Sequence, residues 1–121
     1  MEPWRALGLR ARACPGWRAL PGVLYDTPAG PARALDSAPR SRDDVPDLTD
    51  PATLGCLLAL VRDAWRDPDV FLERVWDAGP DPKSSGWLAR GAGPPTRRSL
   101  TGTWPSEAAC LVEALEAAPR R

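Results

Sequence analysis

The chain has 121 residues, equal numbers of basic and acidic side chains (16 each), no histidine, and 43% hydrophobic residues. That length suits one hydrophobic core, and the ordinary hydrophobic content argues against a chain disordered throughout. Zero net charge excludes the long-range attraction of a strongly basic protein, and the lack of histidine removes the commonest general acid–base.

The composition is skewed. Isoleucine, asparagine and glutamine are also missing, and Lys83 stands alone against fifteen arginines. Alanine, arginine, glycine and proline have G/C-rich codons, so the skew reads as the mark of a G/C-rich genome. Charge is uneven along the chain. Residues 26–81 carry twelve acids and six arginines, whereas 82–106 carry Lys83, Arg90, Arg97 and Arg98 with no acid. Cys14, Cys56 and Cys110 are widely spaced and form no CxxC pair. A zinc site would need all three and a carboxylate, so reduced thiols acting as small hydrophobes are the expectation. No apolar run has the length of a membrane span or a signal-peptide core.

In chain order, residues 1–41 are irregular and rich in proline and glycine. Pro3, Gly8, Pro15 and Gly16 interrupt any long amphipathic helix, which argues against a transit peptide. Trp4, Leu7 and Leu9 suit a short strand or loose packing. Val23-Leu24-Tyr25, the turn residues Thr27-Pro28-Ala29-Gly30, and Ala32–Leu35 suggest a β-hairpin, with a loosely packed arm as the alternative. Residues 38–47 read as a polar, proline-bounded linker. Asp43, Asp44, Asp47 and Asp50 invite a metal reading, but no calcium-loop spacing follows. Carboxylates before a helix also favour its positive end, and that role is preferred.

Asp50 and Pro51 are an N-cap and a first helical residue. Leu54, Leu57, Leu58, Val61 and Trp65 then share one helical face, and Asp67-Pro68 ends the run. Cys56, Ala59, Leu60 and Ala64 widen the apolar surface, so cover on more than one side is expected. Gly55 and Ala59, four apart, would admit a close neighbour. Residues 69–77 (DVFLERVWD) fit a strand through their β-branched and aromatic content, with a second short helix as the alternative. After a loop at 78–86, 86–91 and 96–103 form a hairpin around residues 92–95. Ser106 caps a second helix with Ala108, Leu111, Val112 and Leu115 on one face and Pro119 beyond its end. The expected fold is α+β: two helices packed on a small antiparallel sheet over 47–119, preceded by a Pro/Gly-rich segment, 1–46, with the hairpin.

The runs LTDPATLGCLLALVRDAWRDP (48–68) and SEAACLVEALEAAP (106–119) resemble small uncharacterised bacteriophage and prophage proteins with a helix–strand–strand–helix sandwich. PGWRALPG (15–22) is similar to the Trp- and Pro-containing N-terminal part of the same proteins. The resemblance implies a phage or integrated-element origin, an accessory role in the cytoplasm of a bacterial host, and no catalytic residue to carry over.

Chemistry follows the same lines. Ser84, Ser85, Ser99 and Ser106 lack a nucleophile motif, and Gly91-Ala92-Gly93 is too short for a phosphate loop, which Pro94-Pro95 would starve of N–H groups. Of six tryptophans, Trp65, Trp76 and Trp87 suit the core; Trp4, Trp17 and Trp104 lie nearer irregular segments. Exposed tryptophan and arginine mark protein-binding hot spots. The expectation is a non-catalytic protein without cofactor that binds a host or phage protein, a host enzyme or defence complex among the candidates, through Trp4, Trp17, Arg18 and Trp104. The alternative is nucleic-acid binding through 82–106, using Arg90, Arg97 and Arg98.

Overall fold

The computed structural model describes residues 4–38, 41, 43–75, 86–91, 98–101, 104 and 106–119, with 75, 98 and 99 described by their backbone. Among them are three helices, α1 (Trp4–Ala13), α2 (Pro51–Trp65) and α3 (Glu107–Ala117). Strands β1 (Leu24–Thr27), β2 (Gly30–Arg33) and β3 (Val45–Pro46) form one antiparallel sheet in the order β2-β1-β3. Strands β4 (Phe71–Val75), β5 (Gly86–Gly91) and β6 (Arg98–Ser99) form a second, in the order β4-β5-β6. The fold is α+β, as the sequence implies, with one helix and one sheet more than the simplest sandwich.

Helix α2 starts where its cap residues place it. Asp50 has extended backbone, and its Oδ2 accepts the Thr53 N–H at 3.0 Å and the Thr53 hydroxyl at 2.9 Å. It ends at Trp65 because Arg66 turns into the left-handed region at φ 51°, donating its N–H to the carbonyls of Arg62 and Asp63. Leu57, Leu60 and Val61 are fully buried. They share one core with Cys110, Leu111, Ala114 and Leu115 of α3, Ala89 of β5, and Val70 and Leu100 beside the second sheet. Ser106 caps α3 through the Ala109 N–H at 3.1 Å. Residues 71–75 form a strand rather than a helix, and Leu72↔Ala89 and Arg74↔Trp87 are paired in its register with β5. The hairpin over 24–33 also forms, with Thr27↔Gly30 closing it and Gly30 at φ 115°.

Three expectations change. Residues 4–13 are helix, neither strand nor loose arm. Ala, Leu and Arg favour helix, and Leu7, Ala11 and Cys14 at steps of four and three present one face to the main core. Gly8 is no breaker here, because its bare backbone faces β3. A Cβ added there would lie 2.5 Å from the Pro46 carbonyl oxygen and 2.8 Å from Val45 Cγ1. Second, the linker at 38–47 contains β3. Val45 pairs with Asp26 and Pro46 with Tyr25, a two-residue edge strand where proline's missing donor is tolerated. Third, Gly55 and Ala59 are exposed rather than closely packed, and a Cβ built on Gly55 meets no described atom within 4 Å. Trp65 and Trp87 pack on the core as the sequence implies. Trp17 and Trp104 are half-buried and pack on the core beside Trp65 and Trp87, while Trp4 is 37% exposed. Trp76 lies outside the described residues.

The two glycines of opposite environment predict substitutions of opposite sign. Gly55→Ala should raise stability by up to about 1 kcal/mol, the helix-propensity difference. Gly8→Ala should lower it despite the same propensity gain, because overpacking against β3 costs about 1–3 kcal/mol. Urea unfolding of both variants checks the signs.

Arg33 forks onto Asp50, with Nη1 donating to Oδ2 and Nη2 to Oδ1, both at 3.1 Å. This pair, with the Thr53 bonds adding to it against an opposing desolvation effect, holds the Asp50 carboxyl down at about 2. The folded value lies below the unfolded value of about 3.9, so the contribution is fully present above about pH 4 and is lost as pH falls towards 2. Asp50→Asn keeps a capping side chain but should flatten that part of an acid-unfolding curve. Asp50→Ala should cost a further 0.5–2 kcal/mol or so at neutral pH for the lost cap.

Candidate functional site

The segment Pro15–Gly22 leaves α1 and enters the first sheet. The Trp17 N–H donates to the Cys14 carbonyl at 3.0 Å, and at the far end the Gly22 N–H donates to the Ala34 carbonyl at 2.8 Å, with Gly22 at φ 98°. Gly16 lets the loop settle against the ends of α2 and α3: a Cβ there would lie 3.0 Å from Leu115 Cδ1 and 3.2 Å from Ala64 Cβ. Pinned at both ends, the loop carries Trp17 and Leu20 against both hydrophobic clusters, the main core and a smaller one of Val23, Tyr25 and Ala34.

The outer side of this loop forms an open groove of about 620 Å³, lined by Arg12, Trp17, Arg18, Ala19, Leu20, Tyr25 and Ser37. Arg12 Nη1 donates to the carbonyls of Ser41 and Asp44, which fixes the guanidinium beside the loop. Arg18 is more exposed: its Nη1 lies 3.4 Å from Asp63 Oδ2, and both side chains are 61% exposed. An ion pair so exposed contributes little and exchanges readily with another carboxylate. The lining contains two guanidinium groups, an indole and no acid. Such a surface accepts an apolar or aromatic side chain beside a carboxylate.

Of the four protein-binding candidates, Trp17 and Arg18 come together in this groove. Trp4 opens α1 and is not part of the lining. Trp104 is held elsewhere, exchanging both backbone hydrogen bonds with Trp87 at 2.7 and 2.9 Å. The residues that sequence reasoning missed here are Arg12, Leu20, Tyr25 and Ser37. Arg12 joins because residues 4–13 are helical and end beside the loop; Tyr25 had only its strand signal.

The described nucleic-acid candidates, Arg90 and Arg98, lie on neighbouring strands of the second sheet. The Arg90 guanidinium is paired with Glu73 on the neighbouring strand. Arg98 stands opposite Gly91 in the register while Arg90 stands opposite Ser99. Arg97 and Lys83 lie outside the described residues. Arg74 sits over the Trp87 ring, 5.4 Å from its centre.

The carboxylates before α2 are divided among separate tasks. Asp50 caps the helix, Asp47 Oδ1 accepts from the Thr49 N–H at 2.9 Å and hydroxyl at 2.6 Å, and Asp44 is buried. Among the described residues no group of three or more His, Cys, Asp or Glu side chains is placed to hold a metal ion. The thiols are free, and burial is the main influence on each. It pushes Cys14 up to about 11, helped by the Glu116 charge, and it raises Cys56 and Cys110 as well. At neutral pH these thiols are protonated, unlike an activated nucleophile. No described helix is long and apolar enough to cross a membrane. No family model, curated protein or solved structure matches the chain.

Proposed function

We propose that this is a non-catalytic accessory protein that binds another protein through the groove at Trp17 and Arg18. One observation carries the reading: a tryptophan and an arginine on one pinned loop line the same concavity, with a second arginine beside them and no acid in the lining. Trp, Tyr and Arg are the residues enriched at binding hot spots, and a recessed indole is the usual geometry of an anchor pocket. The partner presents a segment with an acidic group next to an apolar one. Raised thiol pKa values and the absence of histidine support a binding role over a catalytic one. The resemblance of 48–68 and 106–119 to phage and prophage proteins supports a mobile-element origin, with a protein of the bacterial cytoplasm as the target. A phage protein, a host enzyme or a defence complex fits that setting. Nucleic-acid binding through 82–106 is the weaker reading, since Arg90 is engaged by Glu73.

Affinity capture from a bacterial host tests the reading, using the native chain and three variants. A specific partner should be recovered by the native chain and by Trp4→Ala. Trp17→Ala and Arg18→Glu should each reduce recovery by about thirtyfold, equivalent to a hot-spot loss of about 2 kcal/mol. Trp17 also packs on the core, so Arg18→Glu, whose side chain is exposed, separates lost binding from lost stability. Recovery of no specific partner, or equal recovery with Arg18→Glu, would refute the groove. Nucleic acid recovered instead, with affinity falling as salt rises, would move the interface to the basic segment.

A further inference from the structure

Helix α2 carries more apolar surface than the described chain covers. Leu57, Leu60 and Val61 face inward. Steps of three and four from Ala52 through Gly55, Ala59 and Arg62 trace the opposite side, and Arg66 follows as the C-cap. Ala52, Gly55 and Ala59 are exposed, and from Pro51 to Val61 the helix has no charged residue. Beside this ridge an open groove of about 690 Å³ runs between α2 and the start of α3. Leu48, Leu54, Leu58, Leu72 and Leu111 line it, and Glu107 stands in the same lining.

Charges stand at both ends of this surface. Glu107 lies beside the first turns of α2; Arg62 and Arg66 lie at its other end, where the exposed Asp63 is paired with Arg18. Arg62 is tied down, donating its Nε–H to the Val70 carbonyl at 2.8 Å, which leaves Arg66 as the more exposed of the two. An antiparallel copy of α2 laid on this face would bring acid to base at both ends and oppose the two helix dipoles. Ridge and groove lie side by side on α2, with Glu107 at one end and Arg66 just past the other, so a two-fold axis makes the surface complementary to itself. We propose that this face binds a second copy of the chain. The two α2 helices cross antiparallel at Gly55 and Ala59, the leucines of each groove cover the other's ridge, and Arg66 of each copy meets Glu107 of the other. The small residues at the crossing let the helix axes approach at the close end of the 8–10 Å range. This interface is separate from the Trp17 groove and does not rest on it.

Sedimentation equilibrium on the purified chain reads the proposal directly. The mass should rise from 13.1 kDa towards twice that value as concentration approaches about 1 mM. Gly55→Arg should hold the chain monomeric throughout with an unchanged circular dichroism spectrum, because the described structure has room for a side chain there. Arg66→Glu should weaken association by about tenfold, and Arg66→Glu combined with Glu107→Arg should restore it. A native chain that stays at the monomer mass up to that concentration would overturn the proposal. So would a Gly55→Arg variant that still dimerises, or a double exchange that fails to recover what the single change lost.

Discussion

The structure depends on one carboxylate, Asp50, and the hydroxyl it organises. Asp50 satisfies the first turn of α2 through Thr53, and Arg33 on β2 grips both of its oxygens. The Thr53 hydroxyl in turn accepts the Leu24 N–H of β1 at 2.9 Å. Arg33 also donates to the Gly22 carbonyl at 2.7 Å, where the binding loop joins the sheet. One cap therefore fixes the start of the central helix, both long strands of the first sheet and the far anchor of the loop carrying Trp17. Thr53 is completely buried, so its polar atoms must find partners within the protein, and this network supplies them.

The regional charge imbalance of the sequence has a structural counterpart. The basic first segment meets acids from the middle and the end of the chain: Arg5 with Asp26, Arg10 with Glu116, and Arg18 with Asp63. Each exposed pair contributes about 0–1 kcal/mol, so none decides the fold. Arg5 and Arg10 link α1 to the first sheet and to α3. Arginines that composition attributes to codon usage are still employed, one by one, where a carboxylate or carbonyl is in reach.

Where signals are local, the sequence is legible. Asp50-Pro51 and Ser106 announce their helices because capping is decided within four residues, and the β-rich stretch at 71–75 pairs as a strand. Helix α1 was not legible, because the carbonyl that makes Gly8 necessary belongs to Pro46, far along the chain. Strand β3 has only two residues and one is proline, so it leans on β1 and α1 rather than on a signal of its own. Gly55 suggests close packing by residue type alone, whereas tertiary folding leaves it exposed. The candidate groove shows the same division. Residue type points to Trp17 and Arg18, while Arg12, Tyr25 and Ser37 arrive by tertiary folding.

The bond between Arg10 and Glu116 joins positions 106 residues apart, and Leu7, Ala11 and Cys14 share a core with Leu111 and Leu115. On the ribosome, α1 therefore emerges long before the helix that covers it. The part of its apolar face that α3 covers stays open until α3 is made, since contacts of such separation cannot form earlier. A Pro/Gly-rich, arginine-studded opening segment tolerates that interval well: it stays hydrated, and its lack of long β-branched runs gives nascent neighbours little to pair with.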